Sequence, residues 1–339
     1  MQPSAAWKTR PAPASARVPA RAPTPEELAG FIADARAGLG RAGQKELPPK
    51  YFYDEVGSSL FEVITLLPEY GLTRADARLL RRLAPELAAR LAGPVAVAEL
   101  GSGTGKKTRW VLEALRWRQP IDYFPIDISP AALRHCAEQL GKLPGVSVTP
   151  VEAAYRAGLE MVAAQRPAGT RLLVLFLGST IGNFHRGEAR AFLGQLRQTL
   201  APGDALLLGT DLVKPAVTLL RAYDDPLGVT AAFNLNLLAR MNRELVADFE
   251  LSRWAHEARW NAEERRVEMH LRSLEEQTAT VRLAELALRF RRDETIWTES
   301  CYKFTAAEAA AMGGETGFGV AAQWVDAEWP FAEMLFLAD

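Results

Sequence analysis

A doubly wound α/β sheet with an added second α+β domain is the fold class predicted by this 339-residue sequence. Three observations predict it. From residue 95 onward, apolar runs of strand length alternate with amphipathic runs of helix length, the grammar of a sheet covered by helices on both faces. Gly101, Gly103 and Gly105 follow the first apolar run and open a helix, as at the ligand edge of such a sheet. After residue 245 the alternation stops and period-two stretches replace it.

The elements follow in chain order. Residues 1–23, MQPSAAWKTRPAPASARVPARAP, are rich in Pro, Ala and Arg and hold no acid. The frequent Pro would break the amphipathic helix of a targeting peptide, so a disordered tail is expected there. Order is expected to begin at TPEELAGFIADARAGLG, with Thr24 as N-cap, Pro25 at the first helical position and Gly38 as the stop. VAVAEL (95–100) reads as a buried strand, IDYFPIDIS (121–129) as a second, and SPAALRHCAEQL as a helix capped by Ser129. The 147–152 region, RLLVLFLG (171–178) and DALLLGTDL (204–212) supply three more strands. Between the last two, Ala189, Phe192, Leu193, Leu196 and Leu200 share one helical face. In RRVEMHLRS (265–273), Val267, Met269 and Leu271 alternate with Glu268, His270 and Arg272. The stretch from Thr280 to Ser300 is expected to stay extended, and two β-like stretches, 321–329 and 331–337, close the chain.

Composition bounds the function. A hydrophobic share of 48% and a charged share of 24% are ordinary for a soluble globular protein. The net charge of −1 provides no basic field for nucleic acid or an anionic membrane. No run reaches the roughly 18 apolar residues of a membrane span. Two cysteines, Cys136 and Cys301, build no disulfide framework, which fits a reducing cytoplasm. His135, His185, His256 and His270 show no metal-ligand spacing, and no metal is expected.

ELGSGTGKKTR (99–109) is the first motif with chemistry. A P-loop needs four residues between its glycines and a hydroxyl after GK; here Gly101 and Gly105 enclose three residues and Lys107 takes the hydroxyl position. A dinucleotide loop needs its third glycine one place later. An S-adenosylmethionine (SAM) loop remains, with Glu99 two places before the first glycine and Asp127 ending the next strand where a carboxylate can grip ribose hydroxyls. An ordinary strand-to-helix turn is the bland alternative, and it explains neither acid. FLGSTIGNF (176–184) places small and amide side chains at the same edge of the sheet. Asn183 offers a donor and an acceptor to an amino-acid head group, or serves as a turn residue in a left-handed backbone.

A resemblance then becomes specific. PPKYFYDEVGSSLFEVITLLPEYGLTRAD, ELGSGTGKKTR, FLGSTIGNF, AYDDPLGVTAAFNLNLLARMNREL and IWTESCYKF, in that order, are similar to the motifs of the histidine Nα-methyltransferase family of ergothioneine biosynthesis. The similarity runs from about residue 24 to the end. It implies a Rossmann-like SAM-binding domain over 76–225, a substrate domain over 226–339 whose closing strands can return to the core, and a contribution to the substrate domain from 24–75. It implies three methyl transfers to the α-amino nitrogen of L-histidine, giving hercynine; a cytoplasmic monomer that binds histidine and its methylated intermediates, but neither nucleic acid nor membrane, is expected.

The resemblance also implies site residues. SAM contacts fall on Gly101, Lys107 and Asp127, beside Glu99 and Gly103 of the same loop. Histidine contacts fall on Tyr53, Tyr70, Asn183, Tyr223 and Glu299, with Asn183 and Tyr223 on the carboxylate, and Tyr70 and Glu299 on the imidazole. Tyr53 and Asn183 are the candidates for catalysis, Tyr53 as a hydroxyl through which the ammonium proton can leave. Met269 matches a pocket position that its pattern alone would assign to the core. Tyr51 keeps a core-edge reading. Two departures stand out. Cys301 replaces the family's usual serine, a weaker partner for the imidazole. Ala154 and Tyr155 stand where Asp-Phe is usual on the adenine, with Glu152 as the candidate substitute. Two rivals remain: a methyltransferase acting on tryptophan or another aromatic amine, and a non-catalytic SAM-binding or NAD-linked protein.

Overall fold

The computed structural model describes residues 23–91 and 93–338; residues 1–22, in the tail expected to be disordered, lie outside them. Five parallel strands form the center of the large sheet, in the spatial order Ala205–Asp211, Arg171–Phe176, Val95–Leu100, Ile121–Asp127, Val146–Val148. Val151–Glu152 also pairs with Ile121–Asp127 and extends its end. Every residue of Val95–Leu100 and Ala205–Asp211 is buried, as strands covered on both faces must be.

One face is covered by the helices Gly71–Arg90 and Arg109–Arg116, through Leu79, Leu80, Leu83, Val111 and Leu112. The other is covered by Tyr155–Gln165, Arg186–Thr199 and Ala306–Glu315, through Leu159, Leu193, Leu196 and Met312. The expected strand-helix alternation is therefore the observed one. At the near end of the chain, the first helix runs Pro25–Leu39 with Thr24 as its cap, and Gly40 rather than Gly38 closes it. Gly38 lies inside the helix, where a side chain would strike the Glu46 carbonyl.

The segment 226–339 divides between two sheets. Phe331–Ala338 runs antiparallel beside Ala205–Asp211, and Phe318–Val325 pairs antiparallel with it, so the last residues of the chain complete the large sheet. Seven of the eight residues of Phe331–Ala338 are buried, which demands covered faces on both sides. The remainder builds a smaller sheet in the order Lys45–Glu46, Thr295–Tyr302, Arg266–Ser273, Trp254–Asn261. The helix Val229–Glu244 packs on this sheet, and the helix Glu55–Ile64 packs on that helix. The stretch expected to stay extended is largely strand: Leu286–Phe290 pairs with Gln277–Val281 in a separate hairpin, turned at Arg282–Ala284, and the chain then enters Thr295–Tyr302 of the small sheet. A bridge between Leu212 and Phe304 ties the end of a large-sheet strand to the end of a small-sheet strand.

Candidate active site

The glycine turn is built by backbone geometry. Gly101, Gly103 and Gly105 have φ of 74°, 51° and 70°, in the left-handed region that residues with a Cβ avoid. Asp127, the last residue of its strand, receives the Gly103 amide at 3.1 Å and the Ser129 amide at 2.9 Å. Its partly buried carboxyl is pushed above the ordinary range by burial, which the backbone amides of Ser129 and Gly103 oppose. Tyr155 lies against the same turn, its hydroxyl 3.0 Å from where a Gly101 side chain would start, and its ring packs edge-on to Phe176 at 5.6 Å. Nothing lies within 4 Å of the space above Gly103. An open glycine cradle beside a carboxylate and an aromatic ring fits an adenosine. Ala154 is exposed at the N-terminus of the Tyr155–Gln165 helix, and Glu152 is the neighbor in register of Asp127.

Glu99 and Lys107 sit deeper. Both Glu99 oxygens accept from the Thr108 hydroxyl at 2.7 Å, and Tyr123 donates to one of them. Burial raises the Glu99 carboxyl to about 7. These contacts hold the turn against its helix, so Glu99 shapes the cradle from behind. Lys107 is paired with the fully buried Asp76, which also accepts the Gly178 amide at 3.0 Å. Lys107 thus joins the glycine turn to the loop after Arg171–Phe176.

That loop carries Asn183. Ser179 takes a left-handed conformation, and its hydroxyl accepts the Asp211 amide at 2.8 Å, which anchors the short helix Thr180–Asn183 to the neighboring strand end. The Asn183 amide reaches Glu299 Oε1 at 3.5 Å. The structure therefore brings Asn183 and Glu299 together from the two sheets. Met269 is buried opposite Glu299 in register on the adjacent strand. Burial raises the Glu299 carboxyl to about 7, with Lys303 opposing the shift.

A row of rings closes the other side. Tyr53 meets Phe233 at 5.8 Å and Phe61 at 5.7 Å; Phe61 meets Tyr70 at 6.4 Å, and Tyr70 meets Tyr223 at 6.0 Å, most of them edge to face. The aromatic stretch 49–76 thus meets Phe233 and Tyr223 through Tyr53, Phe61 and Tyr70. Tyr51 turns away, stacked on Phe31 and bonded to Asp34 at 2.7 Å. Burial raises the Tyr53 hydroxyl well above its ordinary value, and Glu299, Tyr155, Cys301 and Asp127 add to the rise. Those neighbors place Tyr53 between the Glu299 side and the glycine-turn side. A hydroxyl held that firmly in its protonated form can relay a proton but does not serve as a standing phenolate.

Cys301 points toward Tyr223, its Sγ 2.7 Å from that hydroxyl, and Lys303 Nζ donates to the same hydroxyl at 2.8 Å. Lys303 and its partner Asp211 escaped the sequence reading, as did Phe233. The signal was faint: Lys303 follows Glu299 and Cys301 at alternate positions, but it lies one residue beyond the strand Thr295–Tyr302. Among the described residues no group of His, Cys, Asp or Glu is arranged to hold a metal.

Comparisons with known proteins give the family. Residues 31–338 match the family model described as histidine-specific methyltransferase, SAM-dependent. A histidine N-alpha-methyltransferase of Mycolicibacterium smegmatis is 45% identical, over 86% of this chain and 90% of that protein. One from Mycobacterium tuberculosis is 46% identical, over 85% and 90%. Ergothioneine biosynthesis protein 1 of Neurospora crassa is 34% identical over 59% of this chain and 23% of that much longer protein. The chain belongs to the histidine-specific, SAM-dependent methyltransferase family.

Proposed function

We infer that the chain is an L-histidine Nα-methyltransferase, converting histidine to hercynine by three successive transfers from SAM on the route to ergothioneine. The observation that carries this reading is the convergence of Tyr53, Asn183, Tyr223 and Glu299 on one pocket beside the glycine turn, in a chain 45% identical to a histidine N-alpha-methyltransferase. SAM supplies an electrophilic methyl group when bound. Gly101, Gly103 and Asp127 would hold its adenosine, with Tyr155 beside the ring, and Lys107 would face its amino-acid tail. Asn183 and Tyr223 grip the substrate carboxylate, Glu299 and Tyr70 face the imidazole, and Met269 walls the ring. Orientation supplies most of the acceleration in a displacement that needs only alignment. The α-ammonium must lose a proton before each transfer; Tyr53 passes it on while remaining a hydroxyl. Cys301 supports Tyr223 and leaves the imidazole to Glu299.

A tryptophan-directed reading is less well supported, because an indole has one ring N–H and no use for a buried acid beside it. The chain is read as a cytoplasmic monomer, and its two cysteines are free, buried thiols, as suits a reducing compartment. Among the described residues no helix is long and apolar enough to cross a membrane. Incubation with isotopically labelled SAM and a panel of aromatic amino acids, read by mass, tests the reading. Histidine should be carried to the trimethylated product under excess SAM. Arrest at the monomethyl stage, or methylation of the imidazole ring, would reject it.

A further inference from the structure

Lys303 is fully buried, which is rare for a lysine and requires compensation. Its ammonium is ion-paired with Asp211 at 2.9 Å and donates to the Tyr223 hydroxyl at 2.8 Å and to the Cys301 sulfur at 3.3 Å. Asp211, also buried, is shared with a second lysine, Lys214, at 2.6 Å. Trp329 adds a neutral donor to the same carboxylate at 2.9 Å. Two ammonium groups on one carboxylate leave a local surplus of one positive charge when both are protonated, within a few ångströms of the pocket. An unbalanced buried charge demands an anion. Glu299, on the strand that ends one residue before Lys303, feels its charge.

Either Tyr223 or Cys301 can donate the hydrogen between them. Because Lys303 donates to Tyr223 Oη, that oxygen is an acceptor on its buried side. Only one hydrogen can lie between Oη and Cys301 Sγ. With the thiol donating it, the Tyr223 hydroxyl hydrogen is free to point into the pocket.

We propose that Lys303 is a positioning residue that selects substrates bearing a carboxylate: held by Asp211, its charge aims the Tyr223 hydroxyl at the carboxylate of an α-amino acid and supplies the field that draws it. This rests on the reading that Tyr223 faces the carboxylate. Lys303 itself stays behind the tyrosine. The device discriminates between an amino acid and the amine lacking its carboxylate, a choice that Glu299, at the ring end, cannot make.

The test compares Lys303→Met with the unaltered protein, measuring inhibition of histidine turnover, or displacement of bound histidine by calorimetry. Three probes serve: histidine, histamine (no carboxylate) and imidazolepropionate (no amine). Turnover of histidine by the unaltered protein is the control for the functional reading itself; its failure would remove that reading before the lysine is tested. In Lys303→Met, affinity for histidine and imidazolepropionate should fall by about ten- to a hundredfold, as for loss of a charge-assisted contact, while histamine stays within about twofold. Equal weakening of all three would assign Lys303 a merely structural role, and unchanged histidine affinity would overturn the proposal as well. Should Lys303→Met fail to fold, Lys303→Arg keeps the charge and displaces the donor to Tyr223, and should reduce the preference for histidine over histamine. In a Tyr223→Phe background Lys303→Arg should add little; additive effects would overturn the route through the hydroxyl.

Discussion

At the scale of single residues, Glu299 is the residue proposed to face the imidazole. Its carboxyl is buried, meets Asn183 at 3.5 Å and is held near 7 by burial against the pull of Lys303, so near neutral pH it is poised to accept an imidazole N–H. Glu299→Ala should lower kcat/KM for histidine by at least about tenfold to a hundredfold, the range for a lost charged hydrogen bond of roughly 1.5–3 kcal/mol. SAM affinity should hold, because the cofactor side is formed by Asp127 and the glycine turn. Calorimetry with SAM alongside steady-state kinetics checks both halves, and retention of histidine turnover within a few-fold would remove Glu299 from the substrate contacts. Glu299 was legible in the sequence only through its company; an acid after Trp297 and Thr298 reads as solvent-facing on its own. Lys303 shows the complementary blindness. A lysine is assigned to the surface by default, and only its alternate spacing after Glu299 and Cys301, one residue beyond their strand, points elsewhere.

At the scale of elements, the glycine turn separates fold from ligand. Gly103 and Gly105 both hold positive φ, but a Gly105 side chain would begin 2.7 Å from Cys136 Sγ and from Leu140 Cδ1, whereas nothing lies within 4 Å of one on Gly103. Both alanine substitutions incur the left-handed penalty of about 1–2 kcal/mol. Gly105→Ala adds overpacking, about 1–3 kcal/mol more, and should lower Tm distinctly further. Gly103→Ala should lose more SAM affinity than its modest loss of stability explains, because its methyl group fills space the cofactor needs. Equal Tm losses with no effect of Gly103→Ala on SAM binding would show that the cradle is not where the cofactor lies. Such strand-turn-helix units were legible because periodicity and glycine spacing are local signals. The helix Gly71–Arg90 was not, since Pro85 reads as a break, yet Leu79, Leu80, Leu83 and Leu87 bury a continuous face across it. The division of 226–339 between two sheets is not a local property at all. Strand partners are chosen by what remains uncovered elsewhere, and Phe331–Ala338 finds its place beside Ala205–Asp211, over a hundred residues earlier in the chain.

At the scale of the whole molecule, the chain threads both sheets twice. Lys45–Glu46 enters the small sheet beside Thr295–Tyr302, and the last strands return to the large one, so neither sheet is complete without sequence from both halves of the protein. Buried charge is abundant: Glu99, Glu299, Asp211, Lys214, Lys303 and Glu333 are all buried. That burden links global stability to pH, and Glu99 gives the clearest test. Its folded carboxyl titrates at about 7, against 4.5 for an unperturbed glutamate. Between those values the folded chain keeps a proton that the unfolded chain has released, so this group's contribution is intact below about 4.5 and is lost as pH rises toward 7. Buried His256 and His270 act oppositely: both are lowered by burial, and their contribution is lost as pH falls below the ordinary histidine range. The net profile mixes these terms, but a substitution isolates one of them. Relative to the unaltered protein, Glu99→Gln should gain stability as pH rises, by up to about 1.4 kcal/mol per unit, and the gain should level off above about pH 7. Any fixed cost of replacing the acceptor for Thr108 and Tyr123 shifts the whole curve without changing its slope. Denaturant titrations of both proteins across that range measure the difference directly. A stability difference independent of pH would mean that Glu99 ionises in the folded protein as readily as in the unfolded chain.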